Sequence, residues 1–319
     1  MTNPAIAVVT GASRGAGKGI AIGLGEKGMT VFVTGRSSDH SDATGWDGAP
    51  LAGTIHETAE AVTAAGGKGI AVACDHADDA QVAALFERVR RDSGRLDILV
   101  NNATYIHHQL ITQAPFWEKE LAAVEILNVG LRSAYVASWH AAAMMVEQKS
   151  GLIAFTSSFG ASCYMHGAAY GAQKAGVDKL AHDMAVDFRP HGVRTVSIWL
   201  GPQITERALV AAEVHKEQYE GFMAMAEMPQ FTGTSFTRLP AIRRATSCRG
   251  TRSSAPRSRD AMASPTAARR RRRIARCSAA RASPIRLSCI EIPPSPLIGE
   301  AARLANLFAS RSGGGAVSA

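Results

Sequence analysis

Residues 5–20 read AIAVVTGASRGAGKGI: an apolar run of strand length, Ile6–Val9, passes directly into a turn carrying Gly11, Gly15 and Gly17, and then into a helical stretch. A strand-to-helix turn this tight needs glycine, because the backbone must bend sharply and come close to its neighbour without a Cβ in the way. The helix start presents unpaired N–H groups and the positive end of its dipole, a setting for an anion such as a pyrophosphate. Such glycines alone carry little information. Placed after the first strand of a βαβ unit they point to dinucleotide binding, with a merely tight turn as the alternative. Thr10, Gly11, Ser13, Arg14, Gly15 and Gly17 are the candidate contacts in this turn.

The alternation begun here continues to about residue 230. Strands are expected at Ile6–Val9, Val31–Thr34, Gly69–Cys74, Leu96–Asn101, Leu152–Phe155 and Val193–Trp199, with helical patterns at 16–28, 55–67, 80–92, 121–147 and 171–188. Short Val/Ile/Leu runs separated by helical stretches specify βαβ units, and runs apolar throughout are buried on both faces. The expected fold is α/β, a doubly wound parallel sheet of Rossmann-like type in a single domain, residues 1–233. Residues 37–53 make an unusually long connection, read as a solvated surface loop with a lid beside the ligand as the alternative.

Charge is divided unevenly. Residues 1–233 carry 18 Lys and Arg against 24 Asp and Glu, a net −6, whereas residues 234–319 carry 17 Arg against three acids, a net +14. The overall +8 therefore describes the tail, where all the net basicity of the chain lies. Five cysteines without a CxxC pair argue against a disulfide framework or a structural zinc site. No run reaches the ~20 apolar residues that span a bilayer, and no leader pattern precedes the first strand, so no membrane partner and a cytoplasmic location are expected.

Cofactor choice is read at the end of the second strand, where an acid would bind the ribose of NAD(H). Here the strand ends VFVTGR, and Arg36, with Arg14 in the glycine turn, suits the 2′-phosphate of NADP(H). NAD(H) is the alternative. In AAYGAQKAG, Tyr170 and Lys174 stand four apart and share a helix face. An ammonium beside a phenol favours the phenolate and is expected to bring its pKa down toward neutrality, so that Tyr170 can protonate a carbonyl oxygen. Ser157 lies thirteen residues upstream in FTSSFG, at the carboxyl end of the fifth strand; Asn128 lies in the long helix before it; NNA, Asn101–Ala103, ends the fourth.

Together TGASRGAG, NNA, Asn128, Ser157 and YGAQK resemble the short-chain dehydrogenase/reductases, over residues 5 to about 233, and the stretches GRLDILVNNATY, NVGLRSAY and VSIWLGPQITER are most similar to the dehydrogenase/reductase member 1 group. The resemblance implies that Ser157 holds the substrate carbonyl, that Tyr170 is the acid/base, that Lys174 binds the nicotinamide ribose and that Asn128 holds a water in a proton relay. It further implies that Asp75 touches adenine, that Asn101 steadies the sheet centre beside Ala103 and that Thr205 touches the nicotinamide or phosphates. The expected partner is a small carbonyl or alcohol substrate, with a homodimer or homotetramer as the assembly. Two departures are Thr104 in place of the fourth residue of NNAG, and Leu200-Gly201 in place of Pro-Gly.

Substrate choice is expected to rest on Tyr105–Gln109, Ser162–His166 and the segment after Pro202, which suit a hydrophobic aldehyde or ketone. No metal is expected at His107 and His108, because neither a carboxylate nor a further histidine sits at ligand spacing; Cys163 is expected to line the pocket. The tail, residues 234–319, is rich in Arg, Ala, Ser and Pro and without periodicity, a composition expected to stay disordered. In the family a seventh strand and a closing segment should follow here. Shifting the frame by one base over SRDAMASPT makes the Met262–Ala263 junction GGC, a glycine, and permits Arg-Arg-Tyr-Gly-Ile-Thr-Asp, which resembles the group's RRYG segment. The expectation is a frame-shifted tail and a lost seventh strand. Two rival readings follow: a weakly catalytic NADP(H)-binding relic, and nucleic-acid binding through the tail.

Overall fold

The computed structural model describes residues 4–236, apart from 39–43, 45–47, 49, 215, 217–220 and 222. Six strands form one parallel sheet: β1 Ile6–Val9, β2 Thr30–Gly35, β3 Lys68–Ala73, β4 Ile98–Asn101, β5 Gly151–Ser157 and β6 Val193–Trp199, in the order β3-β2-β1-β4-β5-β6. β1 pairs with both β2 and β4, so the strand order reverses there, and a crevice opens at the carboxyl ends of β1 and β4. Helices α1 Gly15–Gly25, α2 Ile55–Ala64, α3 Asp79–Ser93, α4 Ser133–Gln148, α5 Ala168–Phe188, α6 Glu206–Val214 and α7 Gln230–Phe236 surround it.

Strand alternation divides the core. Ile6 and Val8 join Phe32, Leu99 and Phe155 under α3, α4 and α5, while Ala7 and Val9 join Val31, Val33, Ile98 and Val100 under α1 and α2. With both faces covered, the uniformly apolar strands of the sequence are accounted for. α7 closes the second face by lying directly on α1: a Cβ added at Gly23 would stand 2.4 Å from the Gln230 carbonyl, and one at Gly233 2.3 Å from that of Ile20. Phe236, fully buried in the same cluster, carries this helix past residue 233.

The expected unbroken helix over 121–147 is broken. Leu121–Val124 is a 3-10 turn, Glu125–Leu127 one short turn, and Asn128–Arg132 a wide turn in which Val129 (φ −99°, ψ 90°) and Gly130 (φ 148°, ψ −35°) leave helical geometry. A Cβ at Gly130 would meet Gln173 and Thr104 at 3.1 Å, so the break lets this segment close onto α5 and the end of β4. Of the 37–53 connection, Thr44 bridges Pro50, Leu51 is buried, and Ala52 and Gly53 receive Arg14; the middle lies outside the described residues. Beyond Phe236 the arginine-rich tail also lies outside them. Among the described residues no helix is long and apolar enough to cross a membrane, and no seventh strand pairs with β6.

Candidate active site

At the crevice the turn after β1 is locked to the end of β4. Thr10 Oγ1 accepts from the backbone N–H groups of Asn102 and Ala103, both at 2.9 Å, and the Asn102 amide donates to the carbonyls of Thr10 and Gly11 at 3.0 Å. Gly11 and Gly15 have φ of +63° and +60°, and a Cβ on Gly17 would stand 2.4 Å from the Gly11 carbonyl. A Cβ would clash at Gly11 and Gly17, and Gly15 holds a backbone conformation that side chains rarely adopt. Asn101 donates to Ser138 Oγ at 2.9 Å, tying β4 to α4. Ser13 is buried, and its carbonyl accepts from Thr58.

No side chain of its own caps α1; instead Glu206 brings a carboxylate across, its Oε2 accepting from the Gly15 N–H at 2.8 Å with Lys18 Nζ 3.6 Å from Oε1. An anion therefore already rests where a helix N-terminus receives one. Thr205 caps α6 by accepting from the Ala208 N–H at 3.2 Å, and its methyl faces the Gly15 position at 3.7 Å. This cradle, closed to any side chain and seating an anion, fits a dinucleotide. Arg14 donates to Ala52 O, Ser37 Oγ and Gly53 O at 3.1, 3.0 and 2.7 Å. Burial lowers its pKa; Glu206 and Glu57 act upward and Arg36 downward, which places the two guanidiniums in one another's field. Asp75, at the end of β3, accepts from the Ala77 N–H at 2.9 Å.

Sequence reasoning passed over His76, which is 4% exposed at the same strand end. Thr34 Oγ1 donates to Val9 O at 3.3 Å, so its 2.8 Å contact with His76 Nε2 has the imidazole as donor, leaving Nδ1 toward the Cys74 thiol at 4.0 Å. Burial holds His76 down at about 4, and the thiol is pushed up to about 12 by burial and by Asp75 and Asp78.

The second half of the site lies where β5 ends beside α5. Tyr170 Oη lies 2.9 Å from Ser158 Oγ, so the structure brings the phenol to Ser158 and not to the expected Ser157. Ser157 ends β5 with its hydroxyl donating to the Lys174 carbonyl at 3.3 Å, because neighbouring strand residues face opposite sides. Ser158 also accepts from the Gly160 N–H at 3.1 Å, and the Tyr170 ring covers Gly160 closely enough that a Cβ there would stand 2.6 Å from it. Lys174, 8% exposed, donates to Thr156 O at 3.2 Å with its ammonium 5.5 Å from the Tyr170 ring centroid. Burial brings Lys174 down to about 8, opposed by Asp178.

Against the expected lowering, Tyr170 is pushed up by burial, with the Ser158 hydrogen bond opposing. The Lys174 ammonium sits over the ring and bonds a carbonyl rather than the hydroxyl. Asn128 occupies the first position of the wide turn, where its amide donates to Glu125 at 3.3 Å and its carbonyl accepts from the Ser133 N–H. It makes no direct bond to Tyr170 or Lys174.

A mostly apolar cavity of about 540 Å³ opens beside Tyr170. Tyr105, His107, Gln109 and His166 line it as the substrate segments led one to expect, but Phe116, Trp117, Lys119, Leu121 and Val124 supply an unforeseen wall. Their only signal in the sequence was an aromatic pair, Phe116-Trp117, inside a polar stretch. Cys163 is exposed and bonds the Phe159 carbonyl, so it does not line this cavity. The fold does bring a carboxylate to the two histidines: Glu120 reaches His107 Nε2 at 3.4 Å and His108 Nε2 at 3.2 Å. The Gln109 N–H donates to His107 Nδ1 at 3.2 Å, which keeps that ring's proton on Nε2, facing Glu120 and occupying the lone pair a metal would need. A further cavity, about 490 Å³, lies at the amino ends of the strands, where Arg88 and Arg95 are paired with Asp92 and Asp97.

Comparison with known proteins points to one family. Dehydrogenase/reductase SDR family member 1 of Mus musculus is 41% identical over 230 residues, 70% of this chain and 65% of that protein; the Homo sapiens counterpart is 38% identical over 245 residues, 72% and 73%. The chain thus spans just under two thirds of the mouse relative's length. Among solved structures, a metagenomic short-chain oxidoreductase in complex with NADP is similar at 30% identity and TM-score 0.54, over 66% of this chain and 88% of that one. A Serratia marcescens short-chain dehydrogenase/reductase mutant is similar at 30% and 0.60, over 74% and 90%. With the short chain dehydrogenase profile matching residues 5–214 throughout the sheet, cradle and Tyr170–Lys174 face, the chain belongs to the short-chain dehydrogenase/reductase family of oxidoreductases.

Proposed function

We propose that this chain reduces an apolar aldehyde or ketone, or oxidises the corresponding alcohol, with NADP(H). The observation that carries the reading is the 2.9 Å contact of Ser158 with Tyr170, which lines the apolar cavity and has the buried Lys174 ammonium over its ring. Gly11, Gly15, Gly17 and Ala103 would receive the dinucleotide's pyrophosphate, Arg14 and Arg36 its 2′-phosphate, and Lys174 its ribose; a nicotinamide, when bound, supplies the hydride. Ser158 donates a hydrogen bond to the substrate oxygen. Tyr170, whose raised pKa keeps its proton at neutral pH, gives that proton to the oxygen as negative charge develops. Lys174 holds positive charge beneath the phenolate so formed.

The test follows NADPH oxidation with a panel of aryl and alkyl ketones and aldehydes, beside thermal shifts with NADPH and NADH. Turnover with NADPH, abolished by Tyr170→Phe with the NADPH shift retained, is the expected result; turnover surviving that change overturns the assignment. The exposed outer edge of β6 among the described residues favours one second reading, a cofactor-binding relic, which an NADPH shift without any turnover would support.

A further inference from the structure

Among the described residues, one cation lining the cavity beside Tyr170 has no salt-bridge partner. Lys119 is half-buried, and its ammonium is held only by the carbonyl oxygens of Leu110 and His166, each at 3.4 Å, long for charge-assisted bonds. Among the described residues it has no carboxylate partner. Its neighbour Glu120 is turned away to His107 and His108, and the Glu120 N–H is anchored by Gln109 Oε1 at 2.8 Å. The same cavity is lined by the apolar Leu110, Phe116, Trp117, Leu121, Val124 and Leu127 and, on its polar side, by His107, Gln109 and Glu120.

The ammonium is placed with respect to the proposed chemistry by two consecutive left-handed residues, His166 (φ 59°) and Gly167 (φ 100°). This turn aims the His166 carbonyl at Lys119 and sets the His166 ring edge-on against the Tyr170 ring, centroids 5.0 Å apart. A Cβ on Gly167 would stand 3.6 Å from Nζ, an ordinary contact distance, so this turn lies directly against the ammonium. Lys119 thus stands one residue away from the phenol, on the cavity side. An ammonium has three donors; the two weak carbonyl contacts leave capacity for an anion, and an apolar wall strengthens any ion pair formed against it.

Resting on the reading of Ser158, Tyr170 and Lys174 given above, we infer that the substrate is an apolar carbonyl compound bearing a carboxylate, with the carboxylate on Lys119 and the carbonyl on Ser158 and Tyr170. The apolar span between the two ends lies along Phe116, Trp117 and Leu121. Neutral ketones of the same shape enter the cavity but forgo the ion pair.

The test uses the full chain as wild type, Lys119→Gln and Lys119→Arg. Turnover is measured with 4-oxo-4-phenylbutanoate and its methyl ester, and calorimetric binding with the unreactive 4-phenylbutanoate and its amide. A charge-assisted contact in a mostly apolar cavity predicts a KM about tenfold or more lower for the acid than for the ester. Lys119→Gln removes that gap with kcat little changed, Lys119→Arg retains it, and the Kd of phenylbutanoate follows the same order. Equal KM for acid and ester in the wild type, or a preference that survives Lys119→Gln, overturns the inference. If neither ketone is turned over, the proposed activity fails alone should phenylbutanoate still bind more tightly than its amide in a Lys119-dependent way. Equal binding of the two overturns both.

Discussion

Tyr170 meets Ser158 and not Ser157 because a strand sends adjacent side chains to opposite faces, and β5 continues through Ser157. Ser158→Ala removes the donor to the developing oxyanion and is expected to lower kcat by about 100-fold or more. Ser157→Ala, which loses one bond to a carbonyl, should leave kcat within a few fold; steady-state kinetics with NADPH and an aryl ketone separate the two, and the reverse order would return the role to Ser157. The Tyr170–Lys174 face was legible from spacing alone, since four residues make one helical turn. The serine was not, because counting along the chain cannot say where a strand stops alternating. Also hidden was the carboxylate of Glu206 on α1, which comes from 191 residues away. A cofactor phosphate must displace it, so Glu206→Gln is expected to tighten NADPH binding by about 3- to 10-fold, an effect of helix-terminus charge size. Calorimetric titration of both proteins checks this, and an unchanged or weaker Kd contradicts it.

Individual elements follow the sequence where burial is uniform and depart where packing intervenes. β1 stands where its apolar run placed it, because nothing competes with a strand buried at every position; β6 keeps its expected range although only Val193 and Ile198 in it are buried. The stretch 121–147 is rich in Ala, Leu, Met and Glu, yet it breaks at Gly130, whose carbonyl accepts from the Gln173 amide at 3.0 Å. That tertiary demand leaves no mark beyond one glycine. The junction of β3 and α3 holds the most consequential hidden group, His76, neutral in the fold with its pKa down at about 4. An unfolded histidine titrates near 6.5, so between 6.5 and about 4 the unfolded chain binds more protons and stability falls as pH falls. From pH 7.5 to 5 this group alone should remove about 2 kcal/mol. Denaturant melts of the wild type and His76→Gln at both pH values test it: the stability gap between them should narrow by that amount, and a constant gap means His76 does not drive the acid response.

Across the whole molecule the two cores are closed by different means. The face under α3, α4 and α5 is filled by long helices, whereas the face under α1 depends on the short α7, whose Gly233 and Phe236 sit at the junction with the arginine-rich region. Composition placed that junction at 233 because the aromatic at 236 stands alone among small polar residues, and only packing shows that it belongs to the core. β6 pairs with β5 alone among the described residues, leaving one row of backbone donors and acceptors without a strand partner there. We propose that a single-base frame shift after α7 replaced the segment that would have paired with it. A gene corrected by one base in this region should encode a further apolar strand. With about 2–4 °C of melting temperature per kcal/mol in a domain of this size, a restored edge strand is expected to raise the midpoint by roughly 5–10 °C and enlarge the NADPH-induced shift. Resequencing independent clones and melting both chains with and without NADPH decides it. An intact single frame in every clone, together with equal midpoints for the two chains, would mean that the arginine-rich region is native to this protein and that the open edge of β6 must be explained without a lost strand.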